Sequence, residues 1–185
     1  MARWDQHVDE LMERRYPALL AYANALTAGD RAAAEDVVHD AIIRAFGKGR
    51  GFETLAHAEA YTRRAILSVY LDRTRVRTRL LRSFSKVAER DAEPSHDDAV
   101  DTCHMVRALL KELSPRERAC VLLRYYDDLS LAEVAEHLGL ATGTVKRYLS
   151  NATARLGAVL GDVSDLESVS RIPVTSASRP TRKER

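Results

Sequence analysis

The chain holds two cysteines, Cys103 and Cys120, too few for a disulfide framework. No apolar run approaches the roughly 18 residues that a membrane-spanning helix needs. The N-terminus, MARWDQHVDELMERR, is charged and lacks the apolar core and cleavage site of a secretory signal. These absences predict a cytoplasmic protein. Gly47, Gly49 and Gly51 are not followed by Lys-Ser or Lys-Thr, so they do not make a phosphate-cradling loop. Cys103 and Cys120 stand 17 positions apart, and His96 and His137 lie in unrelated segments, so no metal spacing emerges. Asp127-Asp128 precedes a helix start and reads as a turn rather than a general acid–base pair. Nothing argues for catalysis, and no cofactor is expected.

What is present is charge, unevenly placed. The formal net charge is only +2 over 185 residues. Residues 1–40 carry 4 basic and 8 acidic side chains, 41–90 carry 12 and 4, 91–141 carry 5 and 11, and 142–161 carry 3 and none. Two basic blocks separated by acidic ones point to a polyanion partner. The length allows one domain or two small ones.

Helical periodicity dominates. Val8, Leu11, Met12, Leu19, Leu20, Ala23 and Leu26 recur at helical spacing over 5–28, with Pro17 predicting a kink or break. Asp30 is placed to cap a helix whose apolar stripe is Ala34, Val37, Val38, Ala41, Ile42, Ala45 and Phe46. A third helix is expected from near Ala56 to about Arg82. No alternating β pattern occurs in 1–90. Residues 83–101 contain Pro94 and a dense acidic run, the profile of a flexible linker that holds the flanking units apart. Helices are then expected at 102–112, 115–126, 130–138 and from 142 to about 160, and 162–185 reads as a disordered tail. Ser114-Pro115-Arg116-Glu117 is a strong start signal. The fold class is all-α: two small helical domains, 5–82 and 102–161.

Two segments carry nucleic-acid signals. In 129–156, Ser130 and Glu133 form a capping-box pattern, and Leu131, Val134, Ala135 and Leu138 make one apolar face. Gly139 then ends the helix, and Val145, Leu149, Ala152 and Leu156 line the inward face of the next. This is the spacing of a helix-turn-helix, whose second helix enters the major groove. Thr142, Thr144, Lys146, Arg147, Ser150 and Asn151 front that helix, and no acidic residue lies between 142 and 161. A solvated helical hairpin would show the same apolar pattern, but not the missing acids. The second signal is Arg73, Arg75, Arg77, Arg79 and Arg82, preceded by Arg63 and Arg64, with Tyr61 and Tyr70 interleaved. Such a mixture suits single strands and unstacked bases. A helix end favoured by its macrodipole explains two or three of these arginines, not seven.

The order and content of these motifs resemble the extracytoplasmic-function (ECF) group of bacterial RNA polymerase sigma factors, in particular its actinobacterial sigma-E-like branch, over about residues 5–160. AAEDVVHDAIIRAF (33–46) is similar to the helix by which that family binds the clamp helices of polymerase β′. The resemblance implies polymerase-facing roles for Glu35, Asp36, His39, Asp40 and Arg44. AYTRRAILSVYLDRTRVR (60–77) resembles the segment that melts and reads the minus-ten element, which implies DNA contacts for Tyr61, Arg63, Arg64, Ser68, Tyr70, Arg73, Arg75 and Arg77. The loop around 47–57 resembles one that captures a flipped base. Residues 113–156 resemble the domain that meets the β flap and reads the minus-thirty-five element with Thr142, Thr144, Lys146, Arg147, Ser150 and Asn151. The implied partners are core RNA polymerase, promoter DNA and, as for many members, an anti-sigma factor.

The sequence departs from the family pattern at Ser68, where Asn is frequent, and at Leu67, where a basic residue is frequent. In the recognition helix Tyr148, Asn151 and Thr153 stand where the family often has arginine. Fewer cations mean a shallower salt dependence of DNA binding. From a different class, a helix-turn-helix regulator of duplex operators would leave the arginines of 63–82 unused, and a protein-binding adaptor would leave both basic blocks unused.

Overall fold

The structure, a computed structural model, describes residues 3–47, 51–83 and 101–160. The expected linker (apart from its two ends) and the expected tail lie outside the described residues.

The chain begins with two short helices, α1 (Arg3–Arg14) and α2 (Tyr16–Leu26), which break at Arg15. Pro17 sits in the first turn of α2, where its missing N–H costs nothing. The turn after α2 passes through Ala28 and Gly29, both at positive φ (56° and 90°). A Cβ on Gly29 would come within 3.1 Å of the Arg107 side chain, so both backbone and space favour glycine there. Asp30 caps α3 (Arg31–Phe46), its carboxylate accepting from the Ala33 N–H at 3.0 Å. The expected stripe is buried, apart from a half-buried Ile42. Thr54 then starts α4 (Leu55–Ser83), its hydroxyl accepting from the His57 N–H.

The C-terminal half comprises α5 (Asp101–Glu112), α6 (Pro115–Val121), α7 (Leu131–Leu138) and α8 (Thr142–Leu160). Both capping boxes form: Ser114 with Glu117, and Ser130 with Glu133. The expected helix to 126 is interrupted. After Val121 the chain widens into a π turn, Leu122–Tyr126, in which the Asp127 N–H donates to Leu122 O, five residues back.

Leu19, Tyr22, Leu26, Val37, Val38 and Ile66 are almost wholly buried in the N-terminal half, as are Leu113, Cys120, Val134 and Val145 in the C-terminal half. Each buried aliphatic side chain contributes about 1.5–3 kcal/mol relative to exposure. The apolar side chains of the two halves join in one continuous cluster. The acidic segment therefore does not hold the halves apart: α2 and α4 pack against α6, and α5 against α2. Such packing between residues far apart in the chain has no local signature in sequence.

Candidate nucleic-acid and polymerase interfaces

The face of α3 turned from the core carries Glu35, Asp36, His39 and Arg44 exposed, with Asp40 half-buried. Between them stands Ile43, 55% exposed. Asp36, His39, Asp40 and Ile43 follow the three-to-four spacing that puts them on one stripe. Ile43 falls one position past the stripe residue Ile42, about 100° round the helix, so its exposure follows from helical phase. Several of these groups are also tied to α4. Arg73 contacts Asp40 at 2.5 Å and Asp36 at 3.7 Å. Arg44 donates to the Ser68 hydroxyl at 2.9 Å and lies 3.3 Å from the Asp72 carboxylate.

Along α4, Arg64, Ser68, Arg73, Arg75 and Arg77 are exposed, whereas Tyr61 and Arg63 are half-buried. Tyr61 lies beside Phe52, with centroids 5.3 Å apart, and Phe52 also meets Phe46 and His57. Phe52, another residue the sequence reading did not single out, anchors the loop before α4 to the helix that carries Tyr61. Tyr70 is only 6% exposed, and its hydroxyl has no hydrogen-bond partner. Its ring packs where α6 meets α4 and presents no face to a strand in this conformation. Burial pushes its phenol above the ordinary range and pulls the neighbouring Arg118 guanidinium down. Leu67 is buried at 4% exposure, so its side chain serves the core.

Arg63 lies at the junction of the halves. It faces Glu59 of its own helix at 3.7 Å, and Asp127 of the C-terminal half also at 3.7 Å. Its guanidinium lies 5.9 Å from the Tyr126 ring centroid. The Tyr22 hydroxyl donates to the other oxygen of Asp127 at 3.1 Å, and the Tyr22 and Tyr126 rings are 5.5 Å apart. Burial, then the Asp127 charge, raise the Tyr22 phenol well above its usual range. Desolvation raises the Asp127 carboxyl, against the pull of Arg63 and Tyr22.

The helix-turn-helix is built as the sequence predicts. Gly139 adopts φ +60°. Leu140 N–H donates to Ala135 O, and Gly139 N–H to Glu136 O, closing the end of α7 as a Schellman motif. Ala135 is buried between α7 and α8, while Val145 and Ala152 are fully buried. On the opposite side Thr142, Lys146, Arg147, Ser150 and Asn151 are exposed, with Thr144 half-buried. Tyr148 turns the other way. With Arg116 of α6 and Arg75 and Arg79 of α4, it lines a groove of about 500 Å³ between the halves. Arg155 ties α8 to α5 and α6, donating to Glu112 O at 3.2 Å and facing the buried Glu117 at 3.8 Å.

The family profile described as Sigma-70, region 4 matches residues 103–156, the stretch that holds this helix-turn-helix. The RNA polymerase sigma-E factor of Streptomyces coelicolor is 35% identical over 153 residues, covering 80% of this chain and 82% of its own. This chain belongs to the ECF sigma factors. The sigma-E factor of Streptomyces avermitilis is 34% identical over 155 residues, with the same coverage. The ECF sigma factor SigM of Mycobacterium tuberculosis is 31% identical over 157 residues, covering 83% of this chain and 76% of its own. Among solved structures, the sigma factor RpoE from Bartonella quintana, in complex with the anti-sigma factor NepR, superposes with a TM-score of 0.60 at 27% identity. That match covers 83% of this chain and 95% of the other. As a sigma factor, the chain directs promoter-specific transcription initiation.

Proposed function

We propose a division of labour between the two halves of this ECF sigma factor. The N-terminal half, residues 5–82, binds core polymerase through the outer face of α3 and melts and reads the minus-ten element through α4. The C-terminal half, residues 102–161, reads the minus-thirty-five element with the front of α8 and meets the β flap. The chain acts in the cytoplasm as a polymerase subunit with no catalysis of its own. By analogy with the Bartonella protein, an anti-sigma factor is a further partner.

The observation that carries this reading is the presence of two exposed basic helix surfaces, on α4 and α8, with an acid-rich face on α3 that borders the first. One protein with two DNA surfaces and one protein-binding face is what a promoter-reading subunit requires. Run-off transcription on fragmented genomic DNA, with purified core polymerase plus and minus this chain, tests it. New chain-dependent transcripts and co-elution with core are expected. No new transcript together with no co-elution would overturn the proposal, and operator binding that needs no polymerase would favour a stand-alone regulator.

A further inference from the structure

Two polar groups are buried without a partner, and both line the same cavity. The Tyr70 hydroxyl and Nε of Arg118 are withdrawn from water and make no hydrogen bond. The cavity they share lies between α3, α4 and α6 and holds about 400 Å³, within the roughly 300–1,000 Å³ of small-molecule sites. Its lining carries three arginines, Arg73, Arg77 and Arg118, and one carboxylate, Asp30. That carboxylate already accepts from the Ala33 N–H as the cap of α3. Arg73 is taken up by Asp36 and Asp40. Arg77 and Arg118 have no ion-pair partner among the described residues.

Burying a donor without an acceptor is costly, and drawing a guanidinium out of water without an anion is costlier. A water molecule accepts from a phenol but brings no charge to an arginine. An anionic oxygen answers both. We propose that this cavity binds a small molecule through a terminal phosphoryl group, seated against the Tyr70 hydroxyl and the Arg118 guanidinium with Arg77 beside it. Such a group carries close to two negative charges near neutral pH and three acceptor oxygens, enough to engage two guanidiniums and a hydroxyl together. A carboxylate brings two oxygens and one charge. An internal phosphodiester of DNA also brings one charge, and its tethers on both sides hinder its reach to groups as buried as Tyr70, which is 6% exposed. The rest of the ligand meets Ala33, Val37 and Pro115 on the same lining. The site goes beyond the functions proposed for either half and does not depend on them.

The test titrates the full chain with inorganic pyrophosphate by isothermal titration calorimetry, near physiological salt. A thymidine dinucleotide, whose one phosphate is an internal diester, is titrated alongside. Pyrophosphate is expected to bind saturably at one site and the dinucleotide far more weakly. Arg118→Gln should weaken pyrophosphate binding about tenfold or more, the loss that goes with a charge-assisted hydrogen bond. Tyr70→Phe removes only the hydroxyl and should cost about threefold. Arg118→Lys keeps the charge without the planar fork and should fall between the unaltered chain and Arg118→Gln. Arg14→Gln removes the same charge from an exposed position on α1 and should leave binding unchanged. Circular dichroism confirms that each variant is folded.

Absence of saturable pyrophosphate binding to the unaltered chain would overturn the proposal. So would binding that either Tyr70→Phe or Arg118→Gln leaves unchanged. Equal losses in Arg14→Gln and Arg118→Gln would reduce the effect to net charge and overturn it as well. A dinucleotide that binds as tightly as pyrophosphate would make the cavity a seat for the DNA backbone and overturn the small-molecule reading. If Arg118→Gln does not fold, Arg118→Lys and Tyr70→Phe decide, and each must weaken binding for the proposal to stand.

Discussion

Arg73 of α4 and Asp40 of α3 form a 2.5 Å contact that joins a side chain assigned to DNA with one assigned to polymerase. Both are roughly half exposed, at 42% and 47%. A pair so open to water contributes little to folding, about 0–1 kcal/mol, and less as salt rises. A double-mutant cycle with Arg73→Ala and Asp40→Ala, read by urea unfolding, should give a coupling inside that range. A larger coupling would show that the pair is structural.

Ile43 is expected to anchor the polymerase contact. Ile43→Ala should weaken association with core polymerase about tenfold, as truncating an apolar anchor within a charged rim does. Because the side chain is 55% exposed, the thermal unfolding midpoint should stay unchanged. Affinity measured against core polymerase, alongside a melting curve, separates the two effects.

On the recognition helix, Lys146→Ala and Arg147→Ala should each weaken binding to promoter duplex and reduce the slope of log affinity against log salt by about 1. Both side chains are exposed, so stability should not change. A salt titration of each variant checks this, and an unaltered slope would remove that residue from the phosphate contacts.

Gly139 tests the turn itself. An added Cβ would meet nothing within 4 Å, so the only penalty is the left-handed backbone at φ +60°. Gly139→Ala should cost about 1–2 kcal/mol, and Gly139→Asn less, since asparagine tolerates that region better. Equal losses would mean that something other than backbone conformation is at stake.

Cys120 is fully buried, and burial pushes its thiol up to about 11, from an ordinary value near 9. In a Cys103→Ser background the native protein should resist thiol reagents at neutral pH and react only as it unfolds in urea. The sign follows from the proton balance: above about pH 9 the unfolded chain gives up the proton while the native chain keeps it. The stability from this group is present below the unfolded value and is lost as pH rises through the native one. Urea midpoints at neutral pH and above pH 9 should show the fall, and a Cys120→Ala variant should lack this component.

Most helix boundaries were legible because their signals are local. Asp30, Ser114, Ser130 and Gly139 each act within four residues, and each does what its position predicts. Pro17 broke the first helical run at the expected place. What escaped was relational. Tyr70 looked like a stacking residue among arginines, but it is buried because α6 lies on α4. Arg63 looked free for a phosphate, and its proximity to Asp127 depends on residues 64 positions away in sequence. The π turn has no signal in sequence, because LLRYY has the composition of ordinary helix.

That π turn has a consequence for how this protein tolerates change in length. A π turn is geometrically an α-helix with one residue too many, and each residue of an α-helix advances the chain by about 100°. Deleting a single residue from 122–126 would let the helix close regularly and swing the following backbone about a quarter-turn around its axis. When the residue deleted is the exposed Tyr125, Asp127 would then leave Tyr22 and Arg63 with no core side chain removed. An insertion or deletion of one codon at this point would therefore reset the grip between the two halves, where a point substitution elsewhere along their contact would only loosen it.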